Sequence, residues 1–417
     1  MSLRLRTVAP VLALLLVPAA AQADVIADWN AKAEAIGIEK ALGPPPNARG
    51  MAMMHLAMFE AVNAVTHRYE SYGLKLSADP SVSPEAAAAT AAHDVLVKLF
   101  PDQQAGLDST LKASLGQVSD GDAKTRGVEL GRQAAAGVLA LRANDGISTP
   151  ETYRPVTTAG AYISTPIPVS STIGKLAPWV MSTGDQFRPA PPPALSSPTW
   201  TADVNEIREV GGKASTRRTA DQTQAARFWS ATGPHCWQPI TRQLAAAKKL
   251  DLSDSARLFA LVALATSDSF IAVFDAKFHY NLWRPVTAIR NADITGNTAT
   301  PREASWLPLI ETPMHPEYPC AHCISSGAAA KAMQLVLGND LPEMLMTSPA
   351  LPGVTGRFAT LKAYSDEVSN ARVWGGIHYR FSTIVGQDIG NKIAELTVKT
   401  KLIPAKGPVA SGARQWD

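Results

Sequence analysis

Residues 253–285 read SDSARLFALVALATSDSFIAVFDAKFHYNLWRP. From Ser253 to Phe274 apolar residues recur on every turn, which predicts a buried helix, and the run leads into Lys277, Arg284 and Pro285. Lys277 and Arg284 stand seven positions apart. If the helix continues, both cations share one face about two turns apart, and Pro285 ends or kinks it. Two cations beside Phe278, Tyr280 and Trp283 repel each other, and an anion between them resolves the repulsion. Taken alone, the segment reads first as two solvated surface charges, the usual fate of a Lys/Arg pair.

Two more segments carry unusual residues. Residues 316–323 read Pro-Glu-Tyr-Pro-Cys-Ala-His-Cys and lead into a helix predicted from Ile324 to Leu337. Small residues at a helix entrance let backbone N–H groups approach an anion, which the helix dipole also favours. His322 stands at that entrance as a proton donor, or simply packs a turn. Residues 371–381 read Ala-Arg-Val-Trp-Gly-Gly-Ile-His-Tyr-Arg-Phe. Arg372 ends a helix, Gly375 and Gly376 break it and let the chain approach a ligand, and His378 follows as ligand, nucleophile or core residue. Taken together, Lys277, Arg284 and Arg372 supply three positive charges, Cys320 and Ala321 supply backbone donors, and His322 and His378 supply ring nitrogens. A tetrahedral oxyanion carrying two or three negative charges matches that set.

The pattern Lys-x6-Arg-Pro, then Pro-x-x-His, then Arg-x5-His resembles the signature shared by vanadium-dependent haloperoxidases and type 2 phosphatidic-acid-phosphatase-like acid phosphatases. The resemblance covers roughly residues 219–400 and is strongest over 277–381. Trp283-Arg284-Pro285 and His378-Tyr379-Arg380-Phe381 are more similar to the haloperoxidase branch. The resemblance implies vanadate as cofactor, with phosphate able to occupy the same site. It implies that His378 ligates the metal and that Lys277, Arg284 and Arg372 bond the equatorial oxygens. Cys320-Ala321 stands where the family has Ser-Gly, and its amides are expected to donate there. His322 is implied as the acid/base toward hydrogen peroxide. The expected substrates are peroxide, a halide and a small organic molecule. Many members carry an Asp four residues after the ligating His, which orients its ring; this chain has Ser382, so another acceptor has to substitute. Asp221 and Asp268 are candidate partners for Arg372.

The rest of the chain reads as an all-α protein of packed helical bundles. Its 417 residues are 46% hydrophobic and 18% charged, an ordinary globular balance. Helices are predicted over 51–65, from the Ser83-Pro84 cap to about Phe100, and over 127–142, 219–229, 240–250, 355–373 and 382–400. A stretch rich in Pro, Ser and Thr from about Ile147 to Pro198 divides two helical halves, with Phe187-Arg188-Pro189 read as part of the channel to the pocket. Trp283 and His279 are read as lining residues. Arg49, His55, Glu60 and Asn63 are read as a buried structural network.

Residues 1–23 read as a secretory signal: Arg4 and Arg6, an apolar run from Val8 to Val17, and Ala21-Gln22-Ala23 before the cleavage point. The expected parts are the signal at 1–23, an N-terminal helical region at 24–198 and a catalytic region at 199–417. The expected product is periplasmic or secreted, with no later segment apolar enough to span a bilayer. Net charge is +3, and +1 without the two signal arginines. That is no footprint for nucleic acid. Cys236, Cys320 and Cys323 leave an odd thiol, and either Cys320–Cys323 or Cys236–Cys320 is a possible pair. Three readings follow: an exported haloperoxidase, a periplasmic phosphohydrolase working through a phosphohistidine at His378, and a non-catalytic oxyanion binder on the same fold.

Overall fold

A computed structural model of the chain describes residues 24–231 and 233–405. The expected signal peptide and its cleavage point lie outside the described residues. Those described form helices, short turns and one hairpin, an all-α architecture. The first half holds α1 (Val25–Glu39), α2 (Pro44–Thr66), α3 (Pro84–Leu99), α4 (Gln104–Gly116) and α5 (Asp122–Leu141). After the irregular connection come α6 (Pro198–Val210), α7 (Ala220–Phe228), α8 (Gln238–Ala247), α9 (Leu252–Tyr280) and α10 (Pro285–Arg290). Then follow α11 (Ala321–Leu337), the antiparallel pair β1 (Met344–Thr347) and β2 (Thr355–Phe358), α12 (Leu361–Trp374) and α13 (Arg380–Thr400).

Local chemistry explains most of the boundaries. The Ser83 hydroxyl accepts from the Ala86 N–H and Pro84 opens α3, as the cap predicted. Thr219 and Gln222 close a reciprocal capping box on α7. The helix predicted over 355–373 is corrected: residues 355–358 pair with 344–347 as a hairpin, which buries Phe358 against Trp229 and Tyr364, and the helix begins only after the Thr360 cap.

α9 is the axis of the molecule. It packs on α2 from the first half and on α11 and α13 from the second. One apolar cluster therefore runs from Ile26 in α1 to Leu402 beyond α13. By length and apolarity α9 does meet the requirement for crossing a bilayer, contrary to the expectation, but 94% of its apolar window is buried inside the protein. It is a core helix.

The connection is tied to this axis. The Asp268 carboxylate on α9 accepts the N–H groups of Trp179, Val180 and Met181 at 2.7, 2.8 and 3.0 Å, and the Trp179 indole donates to Ser267 at 2.9 Å. Burial pushes the Asp268 acid up to about 6, while the three N–H bonds pull the other way. Asp268 therefore anchors the connection and is no partner of Arg372. Asp221 is exposed in the first turn of α7 and pairs with Arg372 no better. The four polar residues of the first half are buried or nearly so but do not form one network. Arg49 pairs with Asp145, His55 meets Asn30, Glu60 takes Ser71 and the Tyr72 amide, and Asn63 binds the Tyr69 backbone.

α11 packs closely against α13. The approach depends on Gly386 and Gly390, one turn apart. A Cβ at Gly390 would lie 2.1 Å from the Ile324 carbonyl, and one at Gly386 would lie 2.7 Å from the Cys320 carbonyl. Both carbonyls belong to the entrance of α11, so this contact sets where that entrance sits. Gly390→Ala is expected to lower unfolding free energy by about 2–4 kcal/mol in urea titrations. A loss under about 0.5 kcal/mol would show that the two helices part without strain.

Candidate oxyanion site

Lys277 and Arg284 come together, but not on one helix. α9 ends at Asn281, whose left-handed backbone (φ 49°) caps it. Leu282 then bridges Ala161 of the connection, and the Trp283 N–H bonds the Gly160 carbonyl at 2.9 Å. Arg284 is the N-cap of α10 and Pro285 its first residue, so the proline starts a helix. The expectation of a shared helical face fails because tertiary pairing with the connection stops the helix. Trp283 faces the second apolar cluster, stacked on Trp200 near Tyr379, and His279 is exposed. Neither lines the cavity described below. Phe187-Arg188-Pro189 does not line it either: Arg188 pairs with Asp275, and Tyr280 bonds the Pro189 carbonyl.

The buried cations are received by backbone carbonyls. Lys277 Nζ donates to the carbonyls of Pro316 and Glu317 at 2.9 and 2.6 Å. Arg284 donates to the carbonyls of His315 and Ile377, each at 2.9 Å. The segment 313–319 carries three prolines, which keep it from joining a helix or sheet and so leave its carbonyls free for side chains. Arg372, in the last turn of α12, donates to the Trp229 carbonyl, and its Nε has no partner among the described residues. Burial lowers all three: Lys277 well below its ordinary value, with Arg284 adding repulsion; Arg284 to about 10; Arg372 to about 9.

His378 follows a turn at Gly376 (φ 82°), where a Cβ would meet the Gly211 carbonyl at 2.3 Å; Gly375 packs on Ile310. These glycines allow backbone packing against the end of α6. The His378 ring is held on both nitrogens. Nδ1 lies 2.7 Å from Glu317 Oε1, and Arg284 Nη1 lies 3.2 Å from Nε2. A guanidinium only donates, so Nε2 is the lone-pair nitrogen and the proton is on Nδ1. Glu317 also accepts the Tyr379 N–H at 3.1 Å. The Ser382 hydroxyl faces the same carboxylate and favours its ionised form, without hydrogen-bonding geometry. Burial raises the Glu317 acid to about 7 against the opposing pull of Lys277 and Arg284.

Glu317 is the acceptor that the sequence reading required and did not assign. It comes from before the helix entrance, not from the turn after His378. Its signal was an acid alone among prolines and aromatics. His315 was also missed: its Nδ1 lies 3.0 Å from Arg284 Nη2, and its ring packs edge-on to Phe274.

At the α11 entrance, Cys320 and Cys323 form a disulfide and Cys236 is a free buried thiol. Cys320 Sγ accepts the Cys323 N–H at 3.2 Å. The Cys320 amide is already taken by the Ser382 carbonyl at 3.3 Å, so it is not the free donor that was expected. Ala321 and His322 are the next two amides, in the first turn, where helix geometry provides no intrahelical acceptor. His322 Nε2 lies 3.0 Å from the Ala231 carbonyl, which fixes its proton there and leaves Nδ1 as the lone pair. Desolvation, then the nearby cations, keep His322, His315 and His378 well below the ordinary imidazole range.

The site thus gathers three buried cations around one buried carboxylate and three neutral imidazoles. Among the described residues, no group of three or more His, Cys, Asp or Glu side chains is placed to hold a metal cation. The surplus of positive charge, the unpaired Arg372 Nε and the single aimed lone pair on His378 fit an oxyanion with one nitrogen ligand, such as vanadate, or phosphate in its place. In protein carrying 15N-labelled histidine, His378 is expected to give the Nδ1–H tautomer throughout about pH 6–8. In Glu317→Ala that signal is expected to become a tautomer mixture. An Nε2–H signal in the unaltered protein would remove the ligand nitrogen.

Residues 257–403 match the VCPO second helical-bundle domain. A vanadium chloroperoxidase of Curvularia inaequalis is 25% identical over 69% of this chain, and the chain spans 60% of that protein's length. A crystal structure described as the first bacterial vanadium-dependent iodoperoxidase superposes with a TM-score of 0.78 at 24% identity, over 91% of this chain and 96% of the other. A holo-type bacterial vanadium-dependent chloroperoxidase superposes at 0.69 and 19% identity, over 85% and 92%. The superpositions establish the all-α fold, and the domain match and the chloroperoxidase relative make this chain similar to the vanadium-dependent haloperoxidases.

Proposed function

We propose that this chain is a vanadate-dependent haloperoxidase that uses hydrogen peroxide to oxidise a halide to hypohalous acid. The observation that carries this reading is the His378 Nε2 lone pair, fixed by Glu317 and facing buried cations that exceed the carboxylate beside them. The chloroperoxidase and iodoperoxidase relatives support peroxide chemistry over hydrolysis.

In this reading His378 Nε2 holds the metal. Lys277, Arg284 and Arg372 bond the oxygens and neutralise their charge, helped by the Ala321 and His322 amides. Bound vanadate supplies a Lewis-acidic centre that polarises hydrogen peroxide toward halide attack without changing oxidation state. His322 Nδ1 accepts a proton from incoming peroxide and returns one to the oxygen that departs as water. Glu317 keeps the His378 proton on Nδ1, so Nε2 stays available as ligand. The disulfide beside the site supports action outside the cytoplasm, after removal of residues 1–23.

Orthovanadate added to the metal-free protein is expected to switch on bromination of phenol red by peroxide, and His378→Ala to abolish it. Glu317→Gln is expected to weaken orthovanadate binding about 10- to 100-fold, read by equilibrium dialysis. Vanadate-loaded protein that oxidises no halide, yet loses a phosphomonoesterase activity when vanadate binds, would move the assignment to a hydrolase with His378 as the nucleophile.

A further inference from the structure

Two groups of the site are aimed by backbone carbonyls only two residues apart. The Trp229 carbonyl accepts from Arg372, and the Ala231 carbonyl accepts from His322 Nε2 at 3.0 Å. Ala231 also receives the Cys236 thiol at 3.4 Å. Among the described residues, the Trp229 carbonyl is the one hydrogen-bond acceptor that Arg372 finds. His322 has little else to orient it. A cavity of about 220 Å³ opens beside it, lined by His322, His378, Cys236 and Trp237, and by Pro44 and Pro45 of α2. None of the lining residues is Asp, Glu, Lys or Arg, so no charge on that side fixes the imidazole. The Ser325 and Ser326 hydroxyls line the cavity too, but both donate to carbonyls of α11. The direction of the His322 ring therefore depends on Ala231.

Trp229 and Cys236 are both fastened to α12, the helix that carries Arg372. Glu367 accepts the Trp229 indole N–H at 2.9 Å, and the Tyr364 hydroxyl donates to the Cys236 carbonyl at 3.0 Å. Tyr364 and Glu367 stand three positions apart, which puts them on one face of α12. The Trp229 ring is buried against Phe228, Phe358 and Tyr364, with centroids at 5.0, 5.9 and 5.5 Å. Ring packing tolerates a small slide of the indole. A hydrogen bond to a carboxylate is directional and does not. Among the described residues, Glu367 bonds neither Arg372 nor His322; it reaches both through Trp229.

We infer that Glu367 is a positioning residue for the oxyanion site. By fixing Trp229 it sets the carbonyls of Trp229 and Ala231, and with them the Arg372 guanidinium and the proton on His322 Nε2. The inference rests on the proposed roles of Arg372 and His322, and adds what aims both. Glu367 and Arg372 are five positions apart on one helix, about one and a half turns, so the cation and the clamp that holds it share a frame. A misplacement of about 1 Å caused far from the chemistry is enough to cost on the order of 100-fold in rate. A loosened Trp229 deprives Arg372 of its acceptor. It also frees the His322 proton to pass to Nδ1, which removes the base facing incoming peroxide.

The test compares Glu367→Ala, Glu367→Gln and Trp229→Phe as metal-free protein. Gln keeps an accepting oxygen for the indole and Ala does not; Phe keeps an aromatic ring and loses the N–H. Orthovanadate affinity, read by equilibrium dialysis, is expected to fall about tenfold in Glu367→Ala and Trp229→Phe, and to stay within about threefold in Glu367→Gln. With 15N-labelled histidine, His322 is expected to report Nε2–H in the unaltered protein and in Glu367→Gln, and a tautomer mixture in the other two. Circular dichroism checks folding; should Glu367→Ala fail to fold, Trp229→Phe carries the comparison. A tie that only stabilises the fold would lower the thermal midpoint of Glu367→Ala and leave both readouts unchanged. That result overturns the inference, as does a loss in Glu367→Gln equal to that in Glu367→Ala. Neither readout requires turnover. Unaltered protein that binds no orthovanadate would remove the proposed oxyanion site, and the His322 signals would still decide whether Glu367 positions the ring.

Discussion

Lys277, Arg284 and Arg372 are held out of water with a single carboxylate, Glu317, among them. Removing a charge from water is costly unless it is paired or hydrogen-bonded. Here much of the compensation comes from backbone carbonyls of residues 229, 315, 316, 317 and 377, which no single secondary-structure element supplies. The irregular segment 313–319 exists for this purpose in physical terms: its prolines keep it out of regular hydrogen bonding, so its carbonyls can turn toward cations. What remains uncompensated is a positive field that suits an oxyanion.

Fixing that field requires rigid surroundings. α9 carries Lys277 and runs through the shared core; α11 carries His322 and is pressed onto α13 by two glycines. The second aromatic cluster, with Trp200 against Trp283 and Tyr379, holds the segments around Arg284 and His378 from behind. The connection contributes in two places. It stops α9 through the Ala161–Leu282 bridge, and it is itself anchored through Asp268. A stretch without regular structure thus defines the spacing of two charged residues.

The N-terminal half does more than pack. Its α2 presents Pro44 and Pro45 to the cavity, and its connection presents Val169, so the apolar space beside the oxyanion pocket is built jointly by both halves of the chain. The division of labour follows from chemistry. The C-terminal half concentrates charge and imidazole, and the apolar wall beside them draws also on Pro44, Pro45 and Val169, far away in sequence.

The helical class, the long connection and the types of residue in the three charged segments were legible from sequence, because periodicity, caps and Lys-x6-Arg-Pro spacing are local patterns. The 355–358 hairpin escaped because its stability lies in pairing with 344–347 and in burying Phe358, neither of which periodicity records. Glu317 escaped as the His378 partner because the two are 61 residues apart and meet only after α13 docks against the α11 entrance. The sequence alone determined which charges and rings the protein possesses. Only the tertiary structure decided which nitrogen of His378 carries the lone pair, that the Cys320 amide is already spent on Ser382, and that the cavity wall bears no charge. Those properties depend on desolvation and on hydrogen-bond partners drawn from distant segments, and neither exists before the chain is packed.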